Sequence, residues 1–296
     1  MNFKKDLPLT SSHWGTYRAK VKDGKVKELI GWENDKDPSP IGQGIVDVHN
    51  HQTRIDSPMI RKSWMDKGPG SNNSLRGTDP FISISWDEAE KIVSNELNRV
   101  RNDFGNASIF GGSYGWASAG RFHHAQSQLH RFLNCIGGYT RSKFTYSFAA
   151  AEAMVPHILG SYRAFLDTCT SWDSIEENTK LFICFGGVPL KNGQIAQGGT
   201  GSHKQKEKLI RSANAGIKFI NFSPLKSDLL DEVNGEWLAL RPNTDVAIML
   251  GLAHTLYKEK LYDDKFIEKY TEGFDTFLPY LLGDIDGIVK DANWAS

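Results

Sequence analysis

Apolar and polar positions along the chain alternate in ways that separate helices from strands. Gly15-Thr16-Tyr17-Arg18-Ala19-Lys20-Val21 alternates, Asp23-Gly24 follows as a turn signal, and Val26-Lys27-Glu28-Leu29-Ile30 resumes, which predicts a hairpin. Ser85-Trp86-Asp87-Glu88 reads as a capping box, and Ala89, Ile92, Val93, Leu97 and Val100 after it fall on one face of a helix. Next, Ala107-Ser108-Ile109-Phe110 runs into the glycine-rich stretch from Gly111 to Gly120. Phe122, Ala125, Leu129, Phe132, Leu133 and Ile136 then recur at helical spacing before Gly137-Gly138. The pattern predicts a strand over 107–111, a loop, a helix over 121–136 and a further helix over 148–160. Leu181-Phe182-Ile183-Cys184-Phe185 and Ile217-Lys218-Phe219-Ile220-Asn221-Phe222 are continuous apolar runs of buried strands, with a helix over 202–215 between them. Two strands joined by a helix predict a parallel crossover.

These elements predict an α/β chain in three segments. A small β-rich unit occupies 1–56, an α/β segment carrying the glycine loop occupies 57–155, and a partial Rossmann-like sheet occupies 156–296. Residues 57–84, rich in Pro, Gly, Ser and Asn, read as a surface loop. Charge adds only exclusions. With 35 basic against 35 acidic side chains there is no electrostatic footprint for nucleic acid. No apolar run approaches a membrane span, and the first residues lack the apolar core of a signal peptide, so the expectation is a cytoplasmic protein. Cys135, Cys169 and Cys184 are irregularly spaced, predicting buried free thiols rather than disulfides, zinc or an iron–sulfur cluster.

Candidate chemistry collects in the glycine loop and beyond the strand ends. Glycines let the backbone of Gly111, Gly112, Gly115 and Gly120 approach a ligand, and N–H groups at a helix start face negative charge. In parallel sheets ligands lie past the carboxyl ends of the strands. Those ends carry Lys191 and Asn192, then Ser223 and Lys226, then Arg241, Asn243, Thr244 and Asp245. The His49-Asn50-His51 pair lacks a recognisable third metal ligand and reads as a loop pair, and His123, His124 and His130 read as surface or packing residues. Gly198-Gly199-Thr200-Gly201-Ser202 does not fit a P-loop. Gly111-Gly112-Ser113-Tyr114-Gly115 also satisfies G-x-S-x-G, so a serine hydrolase with Ser113 as nucleophile, Asp228 as acid and His254 as base is a rival. Trp116-Ala117-Ser118-Ala119-Gly120 between loop and helix argues against that nucleophile elbow.

Several spaced motifs taken together resemble the dimethyl sulfoxide reductase family of molybdopterin enzymes, in the branch of dimethyl sulfoxide, trimethylamine N-oxide and biotin sulfoxide reductases. They are Gly112-Ser113-Tyr114-Gly115-Trp116, Tyr146-Ser147, Met154-Val155-Pro156-His157-Ile158-Leu159-Gly160, Thr170-Ser171-Trp172, Pro189-Leu190-Lys191 and Arg241 through Gly251. The similarity runs from His13-Trp14-Gly15 to the last residues. Phe144-Thr145-Tyr146-Ser147-Phe148 departs from the Asp-Tyr-Ser-Thr-Gly common in the branch, which leaves the pocket wall its own.

The resemblance implies molybdenum bis(molybdopterin guanine dinucleotide), with Ser147 as the metal's protein ligand. The reading of Ser147 from the residues alone is a helix N-cap. Tyr114 and Trp116 match family residues whose O–H and N–H point at the oxygen being transferred. Trp116 and Ser118 would lie near one pterin, and Lys191, Asn192, Ser223, Asn243, Thr244 and Asp245 along a guanosine and its phosphates. For Asp245 the plainer reading is an acid complementing a helix dipole. The implied activity is reduction of a sulfoxide or amine N-oxide with electrons from an outside donor. Since family enzymes are longer, the chain reads as an N-terminal fragment, which alone would be a non-catalytic dinucleotide-binding module.

Overall fold

The computed structural model describes residues 6–49, 51–71, 73–112, 124–196 and 199–296. The chain mixes helices with small sheets and divides into two compact units. The first holds residues 1–169 and 194–203, the second 170–193 and 204–296.

In the first unit, β1 (Leu9–Ser12), β2 (Gly15–Lys22) and β3 (Lys25–Gly31) form an antiparallel sheet in that order. The predicted hairpin is present. Asp23 and Gly24 both take positive φ, the twist a two-residue hairpin requires, and the register slips at Lys20/Val21. Helix α1 (Ile41–Val48) follows, and the Tyr17 hydroxyl donates to the Ser39 carbonyl at 2.9 Å beneath it. Strand β4 (Met59–Arg61), helix α2 (Lys62–Lys67) and strand β5 (Phe81–Ser83) order part of the expected surface loop, with β4 and β5 antiparallel.

Helix α3 (Trp86–Phe104) begins where the capping pattern puts it, the Glu88 N–H donating to Ser85 Oγ at 3.2 Å. Its apolar stripe is only part-covered: Trp86 is 71% and Val93 55% exposed, and both line open grooves on this face. Helices α4 (Ala125–Cys135), α5 (Ala149–Leu159) and α6 (Tyr162–Asp167) complete the run.

The predicted strand over 107–111 is replaced by a 3-10 turn at Asn106–Ser108 and a single parallel bridge, Phe110 to Thr140. Asn106 Nδ2 donates to the carbonyls of Ile136 and Gly138, curling the entry, and glycines at 111 and 112 offer no side chains to pack along a strand.

Segment 194–203 is held to the β-rich end by a buried pair. The Asp35 carboxylate meets His203 Nδ1 at 2.7 Å and accepts the His203 N–H at 3.0 Å, and His203 Nε2 lies 3.1 Å from the Gln194 carbonyl.

The second unit starts with α7 (Trp172–Asn178), β6 (Leu181–Phe185), the short α8 (Leu190–Gly193), α9 (Gln205–Asn214) and β7 (Lys218–Phe222). The expected parallel pairing of β6 with β7 is present, in register from Leu181–Lys218 to Phe185–Phe222. Strand β8 (Glu236–Leu238) adds a third parallel strand to β7. Cys184, Leu209, Ile217, Phe219, Leu229 and Val233 form the core on one face, extended by Trp172 and Phe182. Helices α10 (Asp245–Lys258), α11 (Asp264–Tyr270), α12 (Phe274–Leu281) and α13 (Ala292–Ala295) follow, and α13 seats Ala295 against Gly251 of α10.

Candidate functional site

In the first unit, the residues around Ser147 form one end of a cleft of ≈ 410 Å³ lined by Phe110, Gly111, Gln126, His130, Arg141, Phe144 and Tyr146, among others. A Cβ on Gly111 would collide with Leu133 and Tyr139, so only glycine lets the backbone pass here. Ser147 is exposed in a turn, and the N-cap of α5 is Phe148, with no side-chain cap hydrogen bond. Ser113, Tyr114, Trp116 and Ser118 lie outside the described residues. Among the described residues no three His, Cys, Asp or Glu side chains converge on a metal position. His49 and His51 are held by local partners, Arg54 and Thr53, as a loop pair.

In the second unit, the parallel sheet brings the strand-end residues to one edge. After β6 the chain turns through Gly186 and Gly187, both at positive φ. A Cβ on Gly187 would strike the Asp228 side chain and carbonyl. Lys191 and Asn192 follow on α8, both exposed, and Lys191 pairs with no carboxylate among the described residues. Gln205 donates to the carbonyls of Val188 and Pro189 and fixes this turn.

Ser223, at the end of β7, is fully buried. Its hydroxyl donates to Asp228 Oδ2 at 2.6 Å and accepts the Leu225 N–H, while its carbonyl accepts Trp237 Nε1 at 2.8 Å. Ser223 thus ties the turn after β7 to Asp228 and to Trp237 of β8. Asp228 was not foreseen in that role, and the Ser–x4–Asp spacing after a buried strand was its only sequence signal.

Beyond β8, Asn243 takes φ 71° and Thr244 Oγ1 donates to the Arg241 carbonyl at 2.7 Å. That turn leaves Thr244 as the N-cap of α10 without a side-chain cap bond. The first N–H groups of a 14-residue helix, with Asp245 in its first turn, therefore remain for an external acceptor. Asp245 also occupies the position an acid needs to complement the helix dipole.

For the hydrolase alternative, no hydrogen bond joins its acid to its base among the described residues. The Asp228 carboxylate is taken by Ser223, and His254 Nε2 is buried with no partner among the described residues.

Residues 54–276 match the molybdopterin oxidoreductase family, and residues 10–48 match the molybdopterin oxidoreductase N-terminal domain. The dimethyl sulfoxide/trimethylamine N-oxide reductase of Rhodobacter capsulatus is 38% identical over 97% of this chain and 35% of its own length. The biotin sulfoxide reductase of Cereibacter sphaeroides is 41% identical over 89% of this chain and 35% of its own. The trimethylamine-N-oxide reductase of Haemophilus influenzae is 36% identical over 97% and 35%. The chain spans about 35% of the length of these relatives. With the family match running through both the Ser147 loop and the strand-end edge, this chain belongs to the molybdopterin oxidoreductase family.

Proposed function

We propose that this chain carries part of the active centre of a reductase for sulfoxides or amine N-oxides, working with molybdenum bis(molybdopterin guanine dinucleotide). The observation that carries the reading is the placement of Ser147: an exposed serine in the turn that leads into α5, next to Tyr146, which lines the cleft. A hydroxyl so placed suits a single protein ligand to a metal whose other ligands come from its cofactor. The names of relatives matching along nearly the full chain support the substrate class.

When bound, the molybdenum cofactor supplies the two-electron oxygen-atom transfer, and the protein supplies binding, orientation and a dry pocket. In the second unit, the uncapped start of α10 and the Lys191 ammonium suit phosphate oxygens. Asn192, Asn243, Thr244 and Asp245 offer amide, hydroxyl and carboxylate groups for ribose and guanine, and Ser223 shapes the edge from beneath. The Asp245 carboxylate can accept both N–H groups of a guanine edge. In the first unit, Tyr114 and Trp116 would aim an O–H and an N–H at the oxygen of the bound oxide, and Trp116 with Ser118 would meet a pterin. Cys184 is buried and Cys135 and Cys169 lie apart from it in sequence, so electrons are expected from an outside donor rather than an iron–sulfur cluster held by these residues.

The decisive experiment is Ser147→Ala in protein made by a cofactor-producing host. Turnover of dimethyl sulfoxide, trimethylamine N-oxide and biotin sulfoxide should fall to background, with two guanosine monophosphates per molybdenum in the parent protein. Undiminished turnover per bound molybdenum in the variant would remove Ser147 from the metal's ligands. Nucleotide-free, metal-free parent protein would end the oxidoreductase reading.

A further inference from the structure

We propose that Glu152 is a positioning residue for Ser147: its carboxylate holds the loop that presents the serine. This rests on the reading of Ser147 as metal ligand.

The loop is unfavourable by itself. Phe144 sits at φ 66°, a left-handed conformation that bulky residues avoid, and the Thr145 hydroxyl is buried with no hydrogen-bond partner among the described residues. Two such features in adjacent residues persist only where the surroundings impose them. The imposing contact is the Thr145 N–H donating to Glu152 Oε2 at 2.8 Å, a hydrogen bond to an acceptor-only group that spans seven residues. Glu152 lies in the first turn of α5, where the helix N-terminus favours a carboxylate, and its own N–H donates to the Phe148 carbonyl at 3.0 Å.

Residues 145 and 152 are therefore tied side chain to backbone, and 148 and 152 backbone to backbone. Tyr146 and Ser147 stand inside this closed ring. Stacking of Phe148 on Tyr162, 5.5 Å between centroids, anchors its far side to α6. Without the Glu152 bond the ring opens on the Thr145 side, and the Ser147 oxygen loses its fixed distance from the cleft. In this arrangement Glu152 acts only through Thr145 and the loop.

The test compares Glu152→Ala and Glu152→Gln in the intact protein. Glutamine keeps an acceptor oxygen at the same reach, alanine does not. In Glu152→Ala the Thr145 amide should exchange with solvent on the order of 10- to 100-fold faster, the size expected for losing a hydrogen bond to a charged group. Amides in the body of α5 should stay protected, which marks the helix as folded. Turnover per bound molybdenum should drop about tenfold or more, as when an outer-sphere support is removed. Glu152→Gln should restore both readouts most of the way.

An unchanged Thr145 amide in Glu152→Ala overturns the proposal, as does faster exchange with unchanged turnover per molybdenum, or failure of glutamine to rescue. Ser147→Ala run alongside separates the two ideas. Full turnover there fails the ligand reading, whereas loss there with no effect of Glu152→Ala fails only the positioning role.

Discussion

Cys184 lies on β6 with its thiol turned into the core of the second unit, and that burial pushes its pKa up to about 11. Desolvation disfavours the thiolate, and only the thiolate reacts readily. Cys135 and Cys169 are exposed instead, which corrects the expectation that all three thiols are buried. At pH 8 a disulfide reagent should label two thiols per native chain quickly and the third only in denaturant. Rapid labelling of all three would show that the core around Cys184 opens. The two exposed cysteines lie at the end of α4 and after α6, where an apolar pattern runs out and propensity could not tell a covered face from an open one. The bond of Asp228 to Ser223 was not foreseen for a related reason. It reaches across a turn, and turn geometry is not written in a periodicity.

The elements most legible in the sequence were those whose signal is local. Asp23-Gly24 set the β2–β3 turn, Ser85 set the start of α3, and the unbroken apolar runs marked β6 and β7. β8 was missed because three residues, Glu236-Trp237-Leu238, carry too little pattern, and it is a strand only because β7 offers it a ladder. The strand expected over 107–111 failed because its apolar residues were adjacent to glycines and to the Asn106 clamp.

Among the least legible contacts is that between His203 and Asp35, 168 residues apart. Both side chains are essentially fully buried, at 2% and 0% exposure, and each is the other's polar partner. Removing one partner of a buried pair strands the other, at a typical cost of about 3–5 kcal/mol. His203→Ala should therefore lower the unfolding free energy of the first unit, read from urea unfolding, by about 3–5 kcal/mol, and a change under about 1 kcal/mol would show that water replaces the pair. Gly187→Ala is the counterpart in the second unit. Positive φ and the Asp228 carbonyl both oppose a side chain there, so the variant should lose stability, read as a lower urea midpoint.

At the scale of the molecule, the sequence reading draws three segments and the contacts draw two compact units, with residues 194–203 of the third segment lying in the first unit. No sequence pattern announces such a return, because His203 finds Asp35 across 168 residues. Balanced charge, 35 against 35, was legible and governs how the chain responds to acid. The Lys208 ammonium, hydrogen-bonded to Asp173 at 2.6 Å, holds that carboxyl below its usual range; Arg99 does so for Glu96 and Lys290 for Asp286, likewise first by hydrogen bonding. A carboxyl whose folded pKa is depressed binds fewer protons folded than unfolded across the acid range. Its contribution is complete above the unfolded value of about 4 and disappears as pH falls through the folded one. The Asp173 and Glu96 pairs lie at the surface and are individually weak, whereas Lys290 is buried beneath Asp286, so the sum of the three is what acts. Below that range the 35 lysines and arginines and nine histidines also lose their balancing anions and repel one another. The urea midpoint should be flat between pH 7 and about 5 and fall steeply below about 4.5. Asp173→Asn should flatten the fall in the second unit, where α7 and α9 are joined by Lys208 to Asp173 and Arg211 to Glu176. Added salt should do the same by screening both terms. A midpoint unchanged down to about pH 3.5 would mean that these carboxylates keep their unfolded pKa in the fold, and that the short ion pairs contribute nothing to it.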